Sequence, residues 1–477
     1  MICYSRNSSA VIKFTLKELV AVRNEKINPQ RVPNLQYIGM ADVTSFSGII
    51  TNVVRASEMK ATSARFHPGD VLYGRLRPYL NKVAHPDFDG VASTEFIVMK
   101  PTFGLDSGYL AWRLRSKEFV DFAVLLNSGD RPRVKFEQIS DFEIYLPPIP
   151  EQKRIVAKIE SLFSRLDSSK DSLERVRQEI KRYRQSVLKS AFEGKLTNEW
   201  RNKGNYSFTA LRDLINKLNN KRSSKIRKTN GKSMFIGYKE GRLPESWVLE
   251  KLDCLTHKIT DGTHKTPIYG DMGVPFISVK DISEGKISFE KCKYISPEEH
   301  KALYKRCNPE NGDVLITKSG TIGRVAVVTQ DFEFSMFVSV ALIKPIREIL
   351  NAKYLAYALM DYINKIDISK TIKGGLVKNF HLEDIRESVL PICLIEEQKQ
   401  IVNVIESRFE RAKLLEDTVE QGLEKIEQLK QSVLKKAFEG KLVEPNPNDE
   451  SVEALLERIR KQRAILPTIG SSKRKKR

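Results

Sequence analysis

Cysteine is scarce in this chain: Cys3, Cys254, Cys292, Cys307 and Cys393 are the five in 477 residues, and no C-x-x-C pair occurs. An odd count at such spacings argues against a disulfide framework or a zinc ribbon and suits a reducing compartment. Histidine is sparse too; the six are scattered, and His257 and His264, seven apart, belong to no Cys/His set with the spacing of a zinc site, so no metal site is expected. No apolar run approaches the roughly 18 residues that cross a bilayer. Met1 to Phe14 has no basic start, apolar core and cleavage site, so the expectation is a cytoplasmic protein. Phosphate-binding loops are also missing. Gly231-Lys232-Ser233 has the right ending, but Ile226 stands where the first glycine belongs, and Thr317 precedes Lys318-Ser319. No Asn/Asp-Pro-Pro-aromatic tetrapeptide of an adenine methyltransferase occurs; Leu146-Pro147-Pro148-Ile149 lacks both the amide and the ring. No catalytic residue is expected.

What is present begins with length and charge. A chain of 477 residues exceeds the roughly 150 of one domain about threefold, so two or more domains follow. With 40% apolar and 30% charged residues the composition is globular. Lys and Arg number 81 against 60 Asp and Glu, a net +21 that favours nucleic acid as partner. The plainer alternative is a solvated basic surface. The linker 197–246 holds +8 and the tail 443–477 holds +4, so over half of the excess lies outside the globular segments.

The chain repeats itself. Residues 151–196 and 397–442 align at a constant offset of 246 with 24 identities in 46 positions. Each copy predicts a helix about 50 Å long at about 1.5 Å per residue. A heptad seam runs through Ile155, Ile159, Leu162, Leu166, Ser169, Leu173, Val176, Ile180, Tyr183 and Val187. Its counterpart is Ile401, Ile405, Arg408, Ala412, Leu415, Val419, Gly422, Ile426, Leu429 and Val433, with Arg408 and Gly422 as defects. One such amphipathic helix cannot bury its stripe alone, so the two are expected to pair as an antiparallel coiled coil.

The segments before the helices correspond more loosely. Tyr37 to Val43 parallels Phe276 to Ile282, Gly69-Asp70-Val71-Leu72 parallels Gly312-Asp313-Val314-Leu315, and Phe96 to Pro101 parallels Val340 to Pro345. These short β-rich runs, with helical stretches such as 353–365, read as two α+β domains. The layout expected is domain 1–150, long helix 151–196, basic linker with a short helix 197–246, domain 247–396, long helix 397–442, and a short helix with basic tail 443–477. Internal pseudo-twofold symmetry follows. If the helices bind something, they offer nearly the same surface twice; if the diverged domains read something, their different side chains should read two different things. Two such readers in one chain fit an asymmetric, bipartite DNA target.

Several motifs in this order make the chain resemble a specificity (S) subunit of a type I restriction-modification system. They are LPPIPEQKRIV (146–156), LPICLIEEQKQIV (390–402), QSVLKSAFEGKLT (185–197), QSVLKKAFEGKLV (431–443), LPESW (243–247), ITDGTHKTPIYGDMGVPFISVKDI (259–282) and GDVLYGRLRPYLNK (69–82). The resemblance covers nearly the whole chain. It implies two target-recognition domains reading a split sequence in double-stranded DNA, with the paired helices as a ruler for the spacer. Two modification subunits would dock and methylate adenine with S-adenosylmethionine. Restriction subunits would add translocation and cleavage using ATP and Mg, with no cofactor on this chain, in a bacterial or archaeal cytoplasm. The exposed helix faces, Arg175 and Arg182 among them, would carry the modification subunits. One departure is that no LPESW-like opening precedes the first domain. A stand-alone DNA-binding regulator is the alternative of another class, and a coiled-coil adaptor a third.

Phosphate anchoring needs Lys or Arg, and base readout needs forked donors, amides or hydroxyls on groove-facing loops. In the first domain the candidates are Arg75, Arg77 and Tyr79, then Arg131, Arg133 and Lys135 in a turn that resembles a loop common in this family. In the second they are Thr263, His264 and Lys265, then Lys318 and Ser319, then Lys373 and Lys378. The plainer alternative is that the glycines close turns and the charges are solvated.

Overall fold

The computed structural model describes residues 12–102, 104–126, 131–204, 209–221, 238, 243–283, 285–366, 380–450, 454, 457, 458 and 461. Its internal contacts divide the chain into two compact units, 1–174 with 420–477, and 175–419. Each long helix, Ile149–Phe192 and Ile395–Phe438, thus gives one half to each unit. Among the described residues no helix is long and apolar enough to cross a membrane.

The two globular domains share a strand order that their sequences barely share. In the first, an antiparallel sheet runs Val20–Val22, Phe96–Pro101, Val71–Gly74, Val83–Ala84. In the second the order is Thr256–Asp261, Val340–Pro345, Val314–Thr317, Val325–Val327. A further sheet in each contains one parallel pair, Gln36–Ile38 with Gly90–Ala92 and Val274–Ile277 with Ser335–Met336. Each domain closes by pairing its first and last strands, Ile12–Thr15 with Glu143–Leu146 and Val248–Lys251 with Val389–Ile392. The chain then passes directly into the long helix, so closing the domain also fixes where the helix starts.

Repeated side chains fasten that junction. Gln152 accepts from Asp106 N at 2.8 Å and donates to Gly104 O and Pro147 O. Gln398 accepts from Asn351 N at 2.8 Å and donates to Ile349 O and Cys393 O. Asp106 and Asn351 in turn cap helices Ser107–Leu114 and Ala352–Lys365 by accepting from Tyr109 N and Tyr354 N. In the second unit Glu397 is buried and accepts from Thr197 Oγ1 at 2.7 Å, Trp247 Nε1 at 3.1 Å and Arg201. The Glu-Gln-Lys opening of the helix is therefore a bolt, and the LPESW tryptophan is one of its partners.

Each helix end crosses to the other half's domain. Phe438 sits edge-on to Tyr109 with ring centroids 5.4 Å apart, and Leu434 and Ala437 join the first core. Phe192 meets Tyr354 in the same way at 5.2 Å, with Val187, Leu188 and Ala191 in the second core. Glycine follows each helix in the left-handed region, Gly194 at φ +73° and Gly440 at φ +70°. Gly194 is further required because a Cβ there would lie 2.3 Å from the Pro244 ring.

The helices pair antiparallel. In the first unit Lys430 meets Asp167 at 2.5 Å and Glu427 meets Lys170 at 3.6 Å, so one number rises as its partner falls. In the second unit Arg184 pairs with Glu416 at 2.8 Å and lies over the Phe409 ring. The seam differs from the expectation by one residue at alternate positions. Ile405, Ala412, Val419 and Ile426 are buried as expected, as are Ile155, Ile159, Ile180 and Ile401, with Leu162, Leu166 and Leu173 half-buried. Between them Phe409, Glu416, Leu423 and Lys430 turn inward, whereas Leu415 is 55% exposed and Leu429 and Val176 are also exposed. The physical reason is the phase of the alternation. After Ile405 the buried positions step by four then three, not three then four, which exchanges Arg408 for Phe409 and Gly422 for Leu423. Gly422 is no defect: a Cβ there would lie 2.8 Å from Leu173 Cδ1, so glycine lets the Leu173 side chain seat against the opposite helix.

Candidate nucleic-acid interface

In the first domain the strand Val71–Gly74 runs into Arg75-Leu76-Arg77, and the second basic turn is stitched to it. Arg77 N donates to Pro132 O at 2.8 Å and Val134 N to Arg75 O at 3.0 Å, with a bridge between Leu76 and Arg133. Two loops 56 residues apart in sequence thereby place Arg75, Arg77, Arg131, Arg133 and Lys135 together. Arg77, Arg131, Arg133 and Lys135 are exposed, as is Tyr79 on the following turn. Arg77 holds φ +53° and Asn81 φ +42°, conformations that L side chains rarely adopt.

Glu95 stands among these cations. It accepts from Arg133 at 2.8 Å, and its other oxygen lies 3.6 Å from Arg75 Nε. Neither that oxygen nor Arg75 Nε has a hydrogen-bond partner, although both are buried. Half-exposed pairs such as Arg133–Glu95 contribute at most about 1 kcal/mol. Exchange of Glu95 for a phosphate therefore costs Arg133 little, while Glu95 keeps the guanidinium aimed.

The second domain builds its cluster on a buried carboxylate. Asp261 ends the strand Thr256–Asp261 and faces Lys318 Nζ at 3.1 Å, His264 Nε2 at 3.4 Å and Arg306. Thr263 is half-buried and fixes the turn, its hydroxyl donating to Lys265 O at 3.0 Å and accepting from Lys265 N. His264 and Lys265 are exposed. Lys318 is not on an open loop: its side chain is 9% exposed and it neutralises Asp261. Ser319 beside it is half-buried, and Lys373 and Lys378 lie outside the described residues. No cluster of three or more His, Cys, Asp or Glu suited to a metal occurs among the described residues.

Glu95 and Asp261 are not among the residues the sequence singles out, because phosphate binding calls for cations, and the cation Arg306 is not among them either. Asp261 was nevertheless visible as the first residue of the Asp-Gly-Thr-His-Lys run. Arg306, 45 residues away, carried no local signal.

Comparison with known proteins supplies the context for these clusters. The family model for the type I restriction modification DNA specificity domain matches residues 10–178 and 244–425. The EcoBI specificity subunit of Escherichia coli is 30% identical over 353 residues, spanning 71% of this chain and 68% of the relative. The EcoKI specificity subunit of Escherichia coli strain K12 is 24% identical, over 93% of this chain and 90% of the relative. Among solved structures, a chain from work on complex assembly and conformational transition of the type I R-M system superposes with TM-score 0.63 and 21% identity, covering 92% of this chain and all of that one. The HsdS subunit from Thermoanaerobacter tengcongensis gives 0.50 and 20%, over 90% and 97%. These two likenesses concern the fold. With its duplicated domains and the family match across both of them, the chain belongs to the type I restriction-modification DNA specificity subunits, the non-catalytic, sequence-reading members of these systems.

Proposed function

We propose that the chain reads a bipartite, asymmetric site in double-stranded DNA, one half with each globular domain, and holds two adenine-methyltransferase modification subunits on its helices. Restriction subunits join through these. S-adenosylmethionine, ATP and Mg belong to the partners, and the complex works in a bacterial or archaeal cytoplasm. One observation carries the reading: the two domains keep the same strand order but present chemically different clusters, Arg75, Arg77, Arg131, Arg133 and Lys135 around Glu95, and His264, Arg306 and Lys318 around Asp261. A shared scaffold with unlike loops suits two unlike half-sites. Within each cluster the exposed cations anchor phosphates, and the acid orients forked donors toward base edges. Support for docking on the helices comes from the apolar side chains that the pairing leaves in solvent, Val176, Tyr183, Leu414 and Leu415 in the second unit. A stand-alone regulator gives no reason for these exposed side chains.

The test is to express the chain with its cognate modification subunit and map methylated adenines in the host DNA. A single split motif with unlike halves is expected. The double variant Arg75→Ala/Arg77→Ala should lose methylation of that motif while still co-purifying with the modification subunit. Unaltered methylation would remove both arginines from the reading face.

A further inference from the structure

Large apolar side chains project into solvent beside each basic cluster. In the first domain Phe46 is 50% and Ile49 61% exposed, at the tip of the loop between Thr44 and Thr51. In the second, Ile268 is 86% and Met272 87% exposed, in the segment directly following Thr263-His264-Lys265. A soluble surface does not usually leave adjoining bulky residues open unless something covers them.

Neither tip is slack. Thr44 N donates to Ile49 O at 2.9 Å, Gly48 N to Thr44 O at 3.1 Å and Thr51 N to Asp42 O at 2.8 Å. Phe46 sits at φ +63°, and its N donates to Asn81 O at 2.9 Å, which ties the tip to the turn carrying Arg77 and Tyr79. Gly48, at φ +68°, packs so closely that a Cβ would lie 2.0 Å from Val83 O. Phe46, Arg77 and Asn81 are the three non-glycine residues with positive φ among the described residues, and all three lie at this junction. In the second domain Gly270 N donates to Tyr294 O at 3.0 Å, and the Tyr269 ring lies 5.8 Å from Phe276 and under Lys293 Nζ at 3.8 Å. Ile268 and Met272 flank that anchored ring.

We propose that these apolar tips, Phe46–Ile49 and Ile268–Met272, are base-contacting elements that press against the DNA beside the phosphate-binding cations of their own domain. The occupant is argued from position: each tip is continuous with a cationic loop, and a polyanion drawn to that loop meets the tip next. The matching group on DNA is apolar, the thymine 5-methyl in the major groove or the face of a base at an opened step. A tip already held in place by its backbone loses little freedom on contact, which favours discrimination over mere adhesion. This inference rests on the DNA-reading role proposed above and adds the residues that distinguish bases without hydrogen bonds.

The experiment uses the full chain co-purified with its modification subunits. Affinity for the mapped target and for a scrambled duplex is measured across a salt series, for wild type, Phe46→Ser/Ile49→Ser, Phe46→Leu and Arg75→Ala/Arg77→Ala. The serine pair should weaken target binding roughly ten- to a hundredfold, with scrambled-duplex binding and the salt slope unchanged. Phe46→Leu should retain most of the affinity, and the arginine pair should flatten the salt slope. Replacing target thymines by deoxyuridine should cost wild type more than the serine variant if methyls are the contact. 2-Aminopurine placed in the target should brighten on binding wild type, and not the serine variant, if the contact is an unstacked base face; equal deoxyuridine penalties together with a flat 2-aminopurine signal would overturn both contacts. Target affinity unchanged in the serine pair would overturn the proposal, as would an equal loss on both duplexes or a loss of co-purification, which would make the tip a fold or subunit contact. A wild-type complex with no preference for its target would sink the DNA-reading role itself, an outcome visible before any variant is made.

Discussion

Gln152 and Gln398, 246 residues apart, are fully buried and use their amides identically, one backbone donor accepted and two carbonyls satisfied. Each joins two segments far apart in sequence: the turn and cap residue ahead of a short helix, and the strand end that runs into the long helix. Removing such a group strands buried backbone polar atoms, at about 1–3 kcal/mol. Gln398→Ala should therefore lower the unfolding free energy of the second unit by that amount, read in urea as a lower midpoint at unchanged m, and Gln398→Glu should do no better, since a carboxylate cannot donate to Ile349 O and Cys393 O. An unshifted midpoint in both variants would show that water replaces the amide. The scarce cysteines also find their role at this scale. Burial pushes Cys254 and Cys307 up to about 12, so they are packing thiols rather than nucleophiles.

The long helices show how one element serves two surfaces. Their pairing uses Phe409 against Arg184, Lys430 over Phe163 and Gly422 under Leu173, which leaves Leu414 and Leu415 outside. Residues already in solvent contribute little to helix pairing, so Leu414→Ser/Leu415→Ser should leave thermal unfolding of the chain within about 0.5 kcal/mol of wild type. The same variant should lose retention of the modification subunit in co-purification. Full retention would move the docking surface elsewhere on the chain. The charged pairs Lys430–Asp167 and Arg184–Glu416 contribute less than the rings and aliphatic packing because one or both partners are partly solvated.

At the level of the molecule, each unit is assembled from distant stretches of chain. The first core needs Leu434, Ala437 and Phe438, and the second needs Val187, Leu188, Ala191 and Phe192. Loss of either phenylalanine should cost about 3–5 kcal/mol, as for other buried aromatic rings. A chain severed after Asn230 and co-expressed as 1–230 and 231–477 should therefore elute as one species in gel filtration, because each fragment carries part of the other's core. Two separately eluting fragments would show that the crossed helix ends are dispensable.

The duplication, the two long helices, the α+β character of the domains and the family were all legible in sequence, because periodicity and repeated motifs are local and survive without knowledge of partners. The phase of the seam was not: the expected spacing takes Arg408 and Gly422 although Phe409 and Leu423 beside them are more apolar, and nothing along the chain says that the stems of Glu416 and Lys430 go inward while Leu415 and Leu429 face water. Tertiary structure alone decided that phase, the burial of Lys318 against Asp261, the union of the Arg75 and Arg133 loops around Glu95, and the crossing of each helix end to the other half. Each of these depends on which distant surface arrives at a residue. Segments tens to hundreds of residues apart settle that choice when they compete for the same buried area.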